Sequence, residues 1–168
     1  MKIKYLGFFI VCVTVIWSCT KDDFCLSNQN AVQVGFYSRS SAEDKDSTLS
    51  GIHIHRVGLT DTLPPYDSVS VNKLFLPLNF HGETDDDSTG FVIRQRFISG
   101  DGEKINADTI VFYHRKELVF ISGECGMFYN MTIDSLRFTT DFIDTVRTEY
   151  PHVKYDENIE NVKIYIQP

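Results

Sequence analysis

The chain is short of several things that common functions need. It has 16 Lys and Arg against 23 Asp and Glu, a net charge of −7. That balance excludes a phosphate-binding surface, which needs clustered cations, and nucleic acid is not expected as a partner. Its longest uncharged, mostly apolar stretch is Tyr5 to Trp17. At 1.5 Å per residue this makes about 20 Å of helix, too short for a ~30 Å hydrocarbon core. No segment keeps a 3.6-residue apolar period, which argues against a helical bundle or repeat array. There is no Gly-x-Ser-x-Gly, no Cys-His set with a free thiol and no zinc-binding helix, so the short motifs of nucleophilic and zinc hydrolases are missing. At 168 residues a single domain is the natural expectation.

What is present begins at the N-terminus. Lys2 and Lys4 precede the apolar stretch, which ends in Ile16-Trp17-Ser18-Cys19. A short basic region, a brief apolar run and a small residue at the end are the parts of a cleaved signal peptide. The last four residues resemble a bacterial lipobox, in which the Cys is lipidated and becomes the new N-terminus; Trp17 is bulky for its place. Residues 1–18 are therefore expected to be a lipoprotein signal peptide and Cys19 the lipidated residue. A diacylglycerol with an added acyl chain exceeds the two signals that stable anchoring requires. Residues 19–24 form an acidic tether, Cys19-Thr20-Lys21-Asp22-Asp23-Phe24. Lys21, Asp22 and Asp23 directly after the lipidated Cys resemble the surface-export signal of Bacteroidota lipoproteins. The expected location is the outer membrane, facing the cell surface, with a periplasm-facing orientation as the alternative.

Removing residues 1–18 changes the arithmetic. Lys2 and Lys4 leave while every acid stays, so net charge moves to −9, and Trp17, the sole Trp, is lost. Cys12 leaves and Cys19 takes lipid, which leaves Cys25 and Cys125. An even pair in an oxidising compartment is expected to form one disulfide. Only five residues separate Cys19 from Cys25, at most about 17 Å of extended chain, so the domain should sit close to the membrane.

Residues 25–168 read as one all-β domain of eight or nine strands: an antiparallel sandwich, immunoglobulin-like or related. Strands are read in 31–38, 50–57, 69–78, 91–98 and 108–115, and again in 117–122, 126–133, 142–148 and 162–166. His114-Arg115-Lys116 is expected as a hairpin turn between 108–115 and 117–122. Pro64-Pro65 reads as a rigid turn, incompatible with a central strand. Phe142, Val146 and Tyr150 also fit a short helix.

Several short motifs, taken together, resemble a family of small Bacteroidota lipoproteins of unknown function. They are the lipobox Cys19, Cys25-Leu26, Val34-Gly35-Phe36-Tyr37, Leu76-Pro77-Leu78-Asn79, Cys125-Gly126-Met127-Phe128-Tyr129 and Asn161-Val162-Lys163-Ile164-Tyr165-Ile166. The resemblance implies an extracytoplasmic β-sandwich-like domain and no known activity.

Candidate chemistry is sparse. Asp85, Asp86 and Asp87 could ligate calcium, but they lack the spacing of an EF-hand loop, and a solvated loop is the expectation. His53 and His55 lie on one side of a strand about 7 Å apart with no identifiable third ligand. His81, His114 and His152 fall in expected loops or turns. Asp followed by Ser or Thr and then an aliphatic residue or Thr recurs seven times, from Asp46 to Asp144. This triplet resembles the O-glycosylation site of exported Bacteroidota proteins, with Ser47, Thr62, Ser68 and Ser88 as the accessible loop acceptors. The same triplet also arises wherever a turn runs into a strand. No cofactor and no catalytic residue is expected. The sequence points to a lipid-anchored, non-catalytic module that binds or supports an envelope protein or glycan. The alternative is a small envelope enzyme working on glycan or peptide through a carboxylate pair.

Overall fold

The computed structural model describes residues 31–40, 44–100, 102–123, 125–154 and 159–167. Cys19, Lys21, Asp22, Asp23 and Cys25 lie outside them. The described residues form ten strands: β1 (Ala31–Ser38), β2 (Leu49–Arg56), β3 (Thr62–Val71), β4 (Lys73–Pro77), β5 (Asp86–Ser99), β6 (Gly102–Ser122), β7 (Gly126–Phe138), β8 (Ile143–Thr148), β9 (His152–Val153) and β10 (Val162–Ile166). They make two sheets, one ordered β4-β1-β10-β8 and the other β3-β2-β5-β6-β7-β9.

Period-two alternation builds the core, because successive side chains point to opposite faces of a sheet. Val32, Val34 and Phe36 of β1 are buried, with Leu74 and Leu76 of β4 and Val162, Ile164 and Ile166 of β10. They meet Ile52, Ile54, Phe91, Ile93, Ile110 and Phe112 of the larger sheet. Phe91 and Phe112 pack edge to face at 6.1 Å. Each such side chain contributes about 1.5–3 kcal/mol by leaving water. The fold is thus the expected all-β sandwich.

Its details correct five expectations. First, the pairing is antiparallel except between β1 and β10, which run parallel, with Phe36 opposite Ile164. A strand near the start of the domain thus lies beside its last one. Second, His114-Arg115-Lys116 is not a turn. β6 runs unbroken for 21 residues, because it pairs with β5 from Gly102 to Arg115 and with β7 from Ile110 to Ser122. The polar triplet serves three directions instead. His114 points inward to Thr89, Arg115 outward to Asp134, and Lys116 donates to the carbonyls of Phe80 and Gly82. Third, the described residues hold ten strands rather than eight or nine; of the two readings of 142–150, the strand is the one that holds, as β8. Fourth, Thr62, Ser68 and Ser88 sit in strands rather than loops. Fifth, Pro64-Pro65, expected as a rigid turn, lies instead within β3, which tolerates proline because it is an edge strand.

Two of the three register shifts in the β2–β3 pair set up the site described next. Leu49 faces Val71 and Ile52 faces Val69, so β2 carries an extra residue there; His53 then faces Asp67, so β3 carries one in turn. Each bulge places a residue at positive φ: Gly51 at 64° and Ser68 at 58°. Glycine suits the first, since a Cβ there would stand 2.6 Å from the Arg96 carbonyl oxygen.

Candidate functional site

The Ser68 bulge brings together three side chains that sequence spacing does not. His53 Nδ1 lies 2.9 Å from an Asp67 carboxylate oxygen. Ser68 Oγ is 3.2 Å from His53 Nε2. This is the residue set of a nucleophilic relay, and the seryl φ in the left-handed region is strained. The geometry is that of a local cluster. In a relay the acid and the hydroxyl bind opposite sides of the imidazole, which puts their oxygens about 6 Å or more apart. Here Ser68 Oγ stands 3.4 Å from the same Asp67 oxygen, so both crowd one edge of the ring. Asp67 and Ser68 are also exposed. The signal for this cluster was the Asp67-Ser68 dipeptide opposite His53, readable only once the register is known.

A second group is buried. His114 of β6 reaches Thr89 Oγ1 of β5 at 2.9 Å. That hydroxyl accepts the Asn79 amide at 2.8 Å, and the Asn79 side chain donates to Asp87. Burial holds the His114 pKa below the usual histidine range, against the opposing pull of Asp87 and Asp134. His114 Nδ1 is enclosed without a partner. A neutral folded-state His that charges when unfolded makes stability fall with acid. The unfolded chain takes up a proton near pH 6.5, whereas the folded one does so only lower. Unfolding by urea is therefore expected at lower midpoints at pH 5.5 than at pH 7.5, and His114→Gln should shrink that difference. An unchanged pH difference in the variant would remove His114 from the account.

Carboxylates otherwise serve structure. Asp134 takes two bonds from Arg115, 3.1 Å from Nε and 2.9 Å from Nη2, and Asp86 stands 4.0 Å from the same guanidinium. Asp87 caps its own neighbour, Ser88, at 2.7 Å. Asp85, Asp86 and Asp87 thus point to different partners or solvent. Among the described residues no group of three or more His, Cys, Asp or Glu could hold a metal.

The outer face of the smaller sheet carries a mixed aromatic and cationic array. Tyr37 and Tyr165 lie 5.9 Å apart, with Lys163 over the first ring at 5.1 Å and Arg147 over the second at 5.7 Å. Tyr37 donates to Glu160 at 2.7 Å and Tyr165 to Asp44 at 2.8 Å. Burial, then Glu160, pushes the Tyr37 hydroxyl well above the usual phenol range. Both phenols stay neutral donors, and their ring faces are covered by cations.

Of the sequence-derived acceptors, Ser68 and Ser88 are exposed while Ser47 and Thr62 are half-buried. Cys25, the expected disulfide partner of Cys125, lies outside the described residues, whereas Cys125 lies within them. It sits in the β6–β7 turn, where its amide donates to Ser122 Oγ at 3.0 Å.

A model of a family of unknown function, DUF6452, matches residues 48–166, from the approach to β2 to the end of β10. No curated protein and no solved structure matches the chain.

Proposed function

The chain belongs to the DUF6452 family of unknown function, and from that premise we propose that it is a lipid-anchored cell-envelope protein whose β-sandwich binds or supports another envelope component without catalysing a reaction. The observation that carries this reading is the N-terminal sequence: Lys2 and Lys4, thirteen uncharged residues, then Ser18-Cys19. The run is too short to span a bilayer, and its end offers a thiol where a lipid transferase needs one. Lys21, Asp22 and Asp23 beside that thiol favour export to the surface of the outer membrane. The non-catalytic part of the proposal is supported by how the reactive side chains are used. His114, Asp87 and Asp134 are engaged in the fold, and the Ser68 group lacks an in-line relay. Ser47, Thr62, Ser68 and Ser88 are the proposed glycan acceptors, with Ser68 and Ser88 the more accessible.

Cells fed a clickable palmitate analogue are expected to label the wild-type protein and to leave Cys19→Ala unlabelled. Absence of label on the wild type, or label that survives the substitution, would refute the anchor. Protease treatment of intact cells then separates a surface position, where the protein is digested, from a periplasmic one.

A further inference from the structure

β6 and β7 outrun the rest of their sheet. β5 leaves β6 at Arg115, and β9 touches β7 only at Met131 and Thr132. Residues 117–122 and 126–130 therefore form a two-stranded arm, about 20 Å long at 3.4 Å per residue. Its inner face continues the core-facing row of β6. Asp108, Ile110, Phe112 and His114 are buried, and the same alternation leads to Lys116, Leu118 and Phe120. Opposite them stand Tyr129 and Met127. Beyond Tyr129, which packs on Phe80 at 5.9 Å, the row is uncovered. Leu118 is 51% exposed, Phe120 65% and Met127 53%. From Leu118 to Ile133 the sequence carries one charge, Glu124. The arm at the other end of β6 differs in charge: Ile98 at 90% and Ile105 at 57% are exposed there too, but Arg94, Arg96, Glu103 and Lys104 are interleaved with them along the two strands.

Cys125 stands at the tip of the apolar arm, and every other cysteine of the chain lies within residues 1–25. The disulfide expected between Cys25 and Cys125 would tie this tip to the segment that, on the reading above, carries the lipid. With Cys25 as the partner, six residue steps from Cys19 hold the tip within roughly 20 Å of the acylated residue.

We propose that the β6–β7 arm is a second membrane contact, with Leu118, Phe120 and Met127 inserted at the lipid interface beside the anchor. This rests on the anchor reading. Burying these side chains in the interfacial region recovers the free energy that their exposure to water costs. It also fixes the sandwich upright on the bilayer, with the charged β5–β6 arm pointing away.

The mature chain has no Trp, so a single introduced Trp reports its own surroundings. Phe120→Trp and Ile98→Trp are prepared in the full chain from a host that processes lipoproteins, with intact mass recording the lipid, and reconstituted into phosphatidylcholine vesicles. A parallel pair starts at Thr20 behind a hexahistidine tag and is held on nickel-chelating vesicles. Brominated lipid is expected to quench the residue-120 emission by about twofold or more and to leave residue 98 nearly unchanged, on both anchors. Quenching on the nickel anchor with no lipid on Cys19 would sustain the arm and refute the native anchor. Residue-120 emission indifferent to brominated lipid on both anchors would overturn the arm contact. So would emission already blue-shifted without vesicles and unquenched with them, which marks cover by the chain's own N-terminal segment or a second copy. Equal quenching of residues 98 and 120 would overturn it as well.

Discussion

Asp108→Ala is expected to lower the free energy of unfolding by about 3–5 kcal/mol, among the largest effects of any single substitution outside the apolar core. Asp108 is fully buried in β6. One oxygen accepts from Thr139 Oγ1 at 2.6 Å and from the Asp141 amide at 2.8 Å. The other accepts from the Phe142 and Ile143 amides, each at 2.8 Å. The side chain thus organises the whole connection by which the chain leaves β7 in one sheet and enters β8 in the other. Alanine leaves buried N–H groups with no acceptor, and each such loss costs about 1–3 kcal/mol. Asn keeps one acceptor but turns an NH2 group toward donors, so it should fall between wild type and Ala. Urea or thermal unfolding of the three proteins measures the order. An Asp108→Ala protein within 1 kcal/mol of wild type would contradict the account.

Asn161 is the mirror case and carries the second large prediction. It is buried at the start of β10. Its Oδ1 accepts the Gln33 amide at 3.0 Å, and its Nδ2 donates to the carbonyls of Tyr150 and His152, both at 3.0 Å. Its backbone amide donates to Gln33, and its carbonyl accepts from Glu149 and Tyr150. One residue therefore ties β1, β10 and the β8–β9 connection together across both sheets. Asn161→Ala should cost about 2–4 kcal/mol through the stranded groups. Asn161→Asp should cost more than Ala although it is nearly isosteric, because a carboxylate then faces two carbonyl oxygens without a donor. Asp108 needs an acceptor only and Asn161 needs both a donor and an acceptor. If Asp at 161 were better tolerated than Ala, the assignment of that side chain's oxygen and nitrogen would be wrong.

The strands were legible where one face is wet. Val32, Val34 and Phe36 alternate with polar or small neighbours, and Val162, Ile164 and Ile166 with Lys163 and Tyr165, so period two was visible. Reading failed where polarity serves the interior. His114 and Lys116 looked like turn residues because local pattern cannot distinguish a solvated Lys from one that reaches two carbonyls. Asp108 and Asn161 carried no signal either, since the partners of Asp108 lie 31 or more residues away along the chain and those of Asn161 are divided between β1 and the 149–152 stretch. The parallel neighbourhood of β1 and β10 is a property of the closed fold, and nothing local encodes it. The Ser68 group needed two opposed bulges to form. The same triplets that looked like loop acceptors begin or interrupt strands, because Asp-Ser and Asp-Thr supply both turn chemistry and a bulge.

The central claim is that residues 1–18 are removed and the sandwich is held to the envelope by a lipid on Cys19. Intact mass of the protein extracted from its native membrane, taken before and after reduction, tests this most directly. The account predicts a chain that begins at Cys19, bears a diacylglyceryl group and an acyl chain, and gains the mass of two hydrogen atoms on reduction as Cys25 and Cys125 are freed. Extra mass on Ser47, Thr62, Ser68 or Ser88 would register glycan on top of that value. A chain that keeps residues 1–18, or one that begins beyond Cys19 without lipid, would contradict it.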